Sequence, residues 1–234
     1  MKNKIRRPFF TINPKAYLYG SGSVELAEYA DKLAEKYDID TFFTGQLIDL
    51  PEIRAKTKNL IVTAQHMDGI TPGRGMGHVL PEALKAAGVG ATFLNHVENP
   101  MTLSQLARAI ARADEVGILT IVCADTLAEA KAIAELHPDI MVCEQADLIG
   151  TGKTSDAEYM KLTNETVKAV SPQTLVLQAA GIHSSQNVYD AIKSGADGTG
   201  GTSGIVAASD PHKVLDEMFE ALDRVRREIK EGSC

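Results

Sequence analysis

Three apolar runs in this chain each end on a side chain able to do proton chemistry. PFFTINPK ends at Asn13 and Lys15, ATFLNHVE at Asn95, His96 and Glu98, and DIMVCEQ at Glu144. Glu144 follows four apolar residues, so its carboxylate is expected to be partly desolvated and its pKa raised toward that of a useful base. The bland alternative is an ion pair with a lysine. His96 on its own would be structural, but Asn95 and Glu98 can hold it, and a helix starting nearby would lower its pKa. A neutral imidazole could then donate to a substrate oxygen. Lys15 at a strand tip is ordinarily a solvated charge. Pro14 fixes the turn and pushes Asn13 toward an extended conformation, which gives Lys15 a defined place. A cation, an imidazole and a carboxylate matter only if the three tips converge.

The elements that would bring them together alternate along the chain. PFFTIN, TFFTG, LIVTAQ, ATFLNH, LTIVCAD, IMVCE and TLVLQAA read as strands. Between them lie helical runs such as SVELAEYADKLAEKY, with a serine as N-cap, and LSQLARAIARADEVG, closed by Gly117. Asp49 to Lys56 reads only as a short acidic segment, and HVLPEALKAAG as a helix. The eighth run, ADGTGGTSGIV, is too rich in glycine to assign as a strand by propensity, and PHKVLDEMFEALDRVRREIKEG closes the chain as a long amphipathic helix. The apolar runs are continuous, the pattern of strands buried on both faces of a parallel sheet. Eight strand–helix units fit an α/β fold with a closed eight-stranded parallel (β/α)8 barrel, as a single domain over residues 1–234. An open doubly wound sheet is the alternative; it would usually show a Gly-rich fingerprint after its first strand, where this chain has NPKAY. In both architectures ligands sit at the carboxyl ends of the strands.

The chain has 234 residues, enough to bury a full core without staples, and a formal net charge of -7, which argues against nucleic acid and anionic membranes as partners. No run approaches the roughly 18 apolar residues of a membrane span. The basic start MKNKIRRPFF lacks the apolar stretch of a signal peptide. Three cysteines without a CxxC pair do not suggest a disulfide framework or a zinc site, and buried thiols at Cys123 and Cys143 fit a reducing cytoplasm. No cluster has metal-ligand spacing, so neither metal nor cofactor is expected.

Three Gly-rich loops follow the later strands: Ile149-Gly150-Thr151-Gly152-Lys153, Ala180-Gly181-Ile182-His183-Ser184 and Gly200-Gly201-Thr202-Ser203-Gly204. Glycine lets the backbone approach an anion and point its N–H groups inward. In eightfold barrels the loops after the seventh and eighth strands often form a phosphate site. GTGKTS resembles the end of a P-loop, but Asp147 stands where that motif needs its first glycine.

Taken together, these residues resemble the triosephosphate isomerase family in its archaeal-type short form, nearly end to end. Asn13-Pro14-Lys15 is similar to the family's Asn-x-Lys and Asn95-His96-Val97-Glu98 to its His-x-Glu. Ala64-Gln65-His66-Met67-Asp68 and Gly77-His78-Val79-Leu80-Pro81-Glu82 resemble its third loop, and Leu148-Ile149-Gly150-Thr151-Gly152 the distal half of its mobile sixth loop. The resemblance implies that Glu144 is the base, His96 the neutral electrophile and Lys15 the cation that stabilises an enediolate, with Asn13 beside it and Asn95 and Glu98 behind. It implies phosphate contacts at Ile149, Gly150, Gly181, Thr202 and Ser203. It also implies a small phosphorylated sugar as substrate and a homodimer or homotetramer. Three positions depart from the family: Gln145 where proline follows the base, His183 where a small serine is expected, and Met76 in place of an interface threonine. The substrate would be a triose phosphate, with a tetrulose phosphate on the same scaffold as the alternative. A non-catalytic sugar-phosphate-binding barrel has no need of a positioned base.

Overall fold

A computed structural model describes residues 4–144 and 157–232. Its eight strands are β1 (Phe9–Ile12), β2 (Thr41–Gly45), β3 (Leu60–Ala64), β4 (Ala91–Leu94), β5 (Leu119–Ala124), β6 (Ile140–Cys143), β7 (Leu175–Gln178) and β8 (Gly198–Gly201). They pair in parallel in sequence order, and β8 returns to β1 to close the barrel. The helices are α1 (Gly20–Tyr37), α2 (Leu50–Lys56), α3 (Pro81–Ala86), α4 (Leu103–Val116), α5 (Leu127–Ala134), α6 (Ala157–Val170), α7 (Ser185–Lys193), α8 (Ser203–Val206) and α9 (Pro211–Lys230).

Strands β1 to β7 are continuous in apolar character because each has two buried faces. One buried cluster fills the barrel: Phe9, Phe42, Phe93, Ile121, Ile140, Val142 and Leu177 belong to it. A larger cluster lies between strands and helices, with Phe10, Phe43, Val62, Leu94, Val122 and Met141 on the strand side. Residues two apart share a face, so the alternation 9/10, 42/43 and 93/94 sends neighbours to opposite layers. Phe9 and Phe42 meet edge to face with ring centroids 5.4 Å apart inside the barrel.

Four local readings change. The Asp49–Lys56 segment is the short helix α2, entered through Pro51 near its start, where a missing N–H costs nothing. The helix read from His78 begins at Pro81. Ser23 does not cap α1; the cap is Tyr19, and Ser23 is buried inside the helix. The run ADGTGGTSGIV divides into strand β8 and the one-turn helix α8. Strand β8 is glycine-rich because β1 presses into it. A Cβ on Gly198 would lie 2.4 Å from the Phe9 ring, and one on Gly200 would lie 1.9 Å from the Thr11 carbonyl oxygen. Propensity misleads there because the space decides. Elsewhere the end signals hold: α4 begins with a Thr102–Gln105 capping box and ends at Gly117 with φ 72°.

Candidate active site

At the carboxyl ends of the strands lies a cavity of about 210 Å³. Its walls collect Asn13, Lys15, His96, Glu98 and Glu144 with Gly181, Thr202 and Ser203, so residues far apart in the chain share one mouth. Its floor is formed by Thr11, Phe93, Cys123, Val142 and Leu177. Ile149, Gly150 and Gln145 lie outside the described residues.

Lys15 enters from the end of β1 in a left-handed backbone conformation, φ 50°, uncommon for a lysine. Three amide side chains hold it there. The Lys15 N–H donates to Asn13 Oδ1 at 3.0 Å, while Gln46 Nε2 (3.0 Å) and Gln65 Nε2 (2.7 Å) both donate to the Lys15 carbonyl. The sequence gives neither glutamine a role, although each is the first residue after its strand, where ligand-facing residues are sought. Lys15 Nζ meets Glu98 Oε1 at 2.8 Å, which leaves the lysine at the rim of the cavity.

Asn95 follows β4, also left-handed with φ 56°. Its amide donates to the Cys123 carbonyl at 3.0 Å and its oxygen accepts the Met101 N–H at 2.9 Å, tying β4 to β5 and to the loop before α4. Directly after it, His96 Nδ1 accepts the Glu98 backbone N–H at 3.1 Å. A ring nitrogen that accepts carries no proton, so the neutral imidazole bears its hydrogen on Nε2. Burial lowers the His96 pKa and Lys15 lowers it further, against the opposing pull of Glu98. The cause is thus burial and a cation rather than a helix end, since α4 starts only at Leu103. Burial also works against the charge of Glu98, but the hydrogen bond and attraction from Lys15 outweigh it and hold that carboxyl below its usual range.

Glu144 follows β6, its backbone N–H donated to the Ala124 carbonyl at 3.1 Å. Burial pushes its pKa up to about 7; Lys15 pulls it down and Asp125 adds to the rise. That is the range in which a carboxylate can both take and return a proton at neutral pH. The neighbouring thiols are free and buried, Cys123 raised well above its usual value and Cys143 to about 12, chiefly by burial, so neither is a nucleophile.

The opposite wall is backbone. Gly181, at φ 67°, turns the chain after β7, and α8 opens after β8 with Ser203 and Gly204 as its first residues. A Cβ on Gly204 would lie 2.5 Å from the Ile182 carbonyl oxygen and from His183 Cα, so the two loops are pressed together. His183 is exposed and does not line the cavity; its Nδ1 lies 2.6 Å from the Gly181 carbonyl. Among the described residues no group of three His, Cys, Asp or Glu is placed to hold a metal ion.

A family model described as triosephosphate isomerase matches residues 8–218. This chain belongs to the triosephosphate isomerase family. It is 34% identical over 226 residues to the triosephosphate isomerase of Methanobacterium bryantii, covering 94% of this chain and 100% of that protein. It is 35% identical to the Methanocaldococcus jannaschii enzyme of the same name, covering 89% and 97%, and 35% identical to that of Methanopyrus kandleri, covering 94% and 100%. The family is one of isomerases, and the pairing of a glutamate base with a neutral histidine is the known hallmark of triosephosphate isomerase itself.

Proposed function

We propose that this protein interconverts dihydroxyacetone phosphate and glyceraldehyde 3-phosphate through an enediolate. The observation that carries the assignment is the Glu98 amide donated to His96 Nδ1, which presents a neutral N–H to the cavity holding Glu144 and Lys15. The Glu144 carboxylate removes a proton from the hydroxymethyl carbon. His96 Nε2–H donates to the adjacent oxygens as negative charge develops there, and the Lys15 ammonium balances that charge. The proton on Glu144 then returns to the neighbouring carbon while the hydroxyl proton passes from one oxygen to the other through His96, so the reaction is balanced without an external reductant. Asn13 shares the substrate end with Lys15, and Asn95 and Glu98 orient the imidazole.

On the backbone wall, Gly181, Thr202 and Ser203 would hold the phosphate through N–H groups. Ile149 and Gly150 are assigned to the same anion from their sequence positions alone. Turnover of glyceraldehyde 3-phosphate by the purified protein, lost in Glu144→Gln, tests the assignment. Negligible triose turnover beside rapid isomerisation of an erythrulose phosphate would overturn the choice of substrate.

A homo-oligomer accompanies this reading. The loop between Asp68 and Val79 is pinched at its base, where Asp68 Oδ2 accepts the Val79 N–H at 2.7 Å and the Asp68 N–H is donated to the Val79 carbonyl at 3.0 Å. At its tip Met76 is fully exposed, and Leu47, Ile48 and Val97 are exposed elsewhere on the molecule. Light scattering after size exclusion should give a dimer or tetramer. The described residues contain no helix long and apolar enough to cross a membrane, and the two buried free thiols suit the cytoplasm.

A further inference from the structure

We propose that Gln46 is a positioning residue for catalysis, holding Lys15 in its left-handed conformation so that the ammonium stays at the site. This rests on the isomerase reading above. A side chain other than glycine at φ 50° is strained and persists only where its surroundings over-determine it. Here both backbone polar groups of Lys15 are engaged. Its N–H is taken by Asn13, and its carbonyl accepts one amide from the end of β2 and another from the end of β3. A carbonyl oxygen has two acceptor sites, and the two glutamines fill both. Gln46 contributes no other side-chain hydrogen bond among those described, so it is spent on the Lys15 carbonyl.

The position so fixed has a chemical consequence. Lys15 stands where its charge lowers the pKa of Glu144, lowers that of His96 and, through the 2.8 Å pair, lowers that of Glu98. The groups acting on Glu144 from the packed elements are Lys15 after β1 and Asp125 after β5, with the thiols Cys123 on β5 and Cys143 on β6 beside it. Lys15 is the one cation in that set. Loosening its backbone therefore removes the one attraction among the described residues that offsets burial at the base.

Gln46→Met keeps the length and shape of the side chain and removes its donor; Gln46→Leu is the second variant if the first does not fold. Glu144 is followed by NMR titration of carbon-labelled glutamate, and kcat/KM by a pH–rate profile. The expected result is a fall in kcat/KM of about tenfold or more, with the acid limb and the Glu144 titration both moving upward in pH. Tm should stay within about 4 °C, because the lost hydrogen bond and the released strain act in opposite directions. A large drop in Tm with the Glu144 titration unmoved would assign Gln46 a scaffold role and overturn the proposal, as would unchanged activity and titration. The titration does not depend on turnover, so a wild-type protein without isomerase activity would sink the functional assignment while the positioning role is still decided by NMR.

Discussion

After β1 to β4, side chains brace the mouth of the barrel: Gln46 and Gln65 on the Lys15 carbonyl, Asn95 on Cys123 and Met101, the Glu98 amide on His96. After β7 and β8 the mouth is made of glycines and short polar residues whose loops touch through backbone atoms, as at Gly201 and Gly204. The difference follows from what each half must do. Developing charge on a substrate oxygen is stabilised by donors whose direction is fixed in advance, and side-chain networks fix direction. A phosphate is held by several N–H groups at once, which requires the backbone to come close and excludes side chains. Glu144 stands between the halves, with burial rather than a hydrogen bond setting its pKa.

The largest expected effect comes from the group that belongs to neither half. Glu144→Gln should lower kcat by about 10²–10⁴-fold, the usual worth of a general base. In the wild type, activity should fall as pH drops through about 7, because the base must be ionised. Stability runs the other way. The carboxyl binds its proton more tightly folded than unfolded, so its ionisation penalises the fold, beginning as pH rises above the ordinary glutamate value and complete above about 7. Denaturant titrations should therefore show Glu144→Gln gaining on the wild type across that window, by about 3 kcal/mol. A constant difference from pH 4 to 8 would mean that burial does not set this pKa.

The backbone-built half should break first under added bulk. Gly200→Ala places a methyl 1.9 Å from the Thr11 carbonyl oxygen, in a strand pair that cannot separate without opening the barrel. A loss of at least about 3 kcal/mol is expected, or failure to fold, since overpacking against backbone has no rotamer to relieve it. Urea unfolding measures it, and a loss below 1 kcal/mol would show that β8 can yield.

The same contrast explains what could be read from the chain. Continuous apolar runs specify seven strands because burial on both faces leaves a direct mark on composition. The tips Lys15, His96 and Glu144 are legible because a charged residue ending an apolar run is unusual. Strand β8 is illegible, since its glycines answer to Phe9 and Thr11, which are about 190 residues away. The roles of Gln46 and Gln65 are hidden for a related reason: an amide carries no charge, and its role depends on a carbonyl brought near only when β1, β2 and β3 lie side by side. His183 stands where the family has a small serine, and its ring lies beside the Gly181 carbonyl and off the cavity wall.

The side-chain-braced half should respond in smaller, separable steps. Asn95→Ala removes both hydrogen bonds and leaves alanine at φ 56°, for an expected loss of about 2–3 kcal/mol. Asn95→Gly loses the same bonds but accepts the left-handed conformation, so it should recover about 1 kcal/mol of that relative to alanine. Equal losses in thermal unfolding would show that the bonds alone matter.

The smallest effect is expected at a polar atom of this half that has no brace. Thr11 Oγ1 is buried beneath the site and has no hydrogen-bond partner among the described residues, while its methyl group faces Gly200. Thr11→Val keeps the shape and exchanges that hydroxyl for a methyl. Replacing an unsatisfied buried hydroxyl by an apolar isostere is neutral or stabilising, here by up to about 1 kcal/mol. A measured loss of 1 kcal/mol or more would show that the hydroxyl is satisfied in the native protein. The braced half would then extend one residue deeper into the barrel, to the cavity floor beneath Asn13 and Lys15.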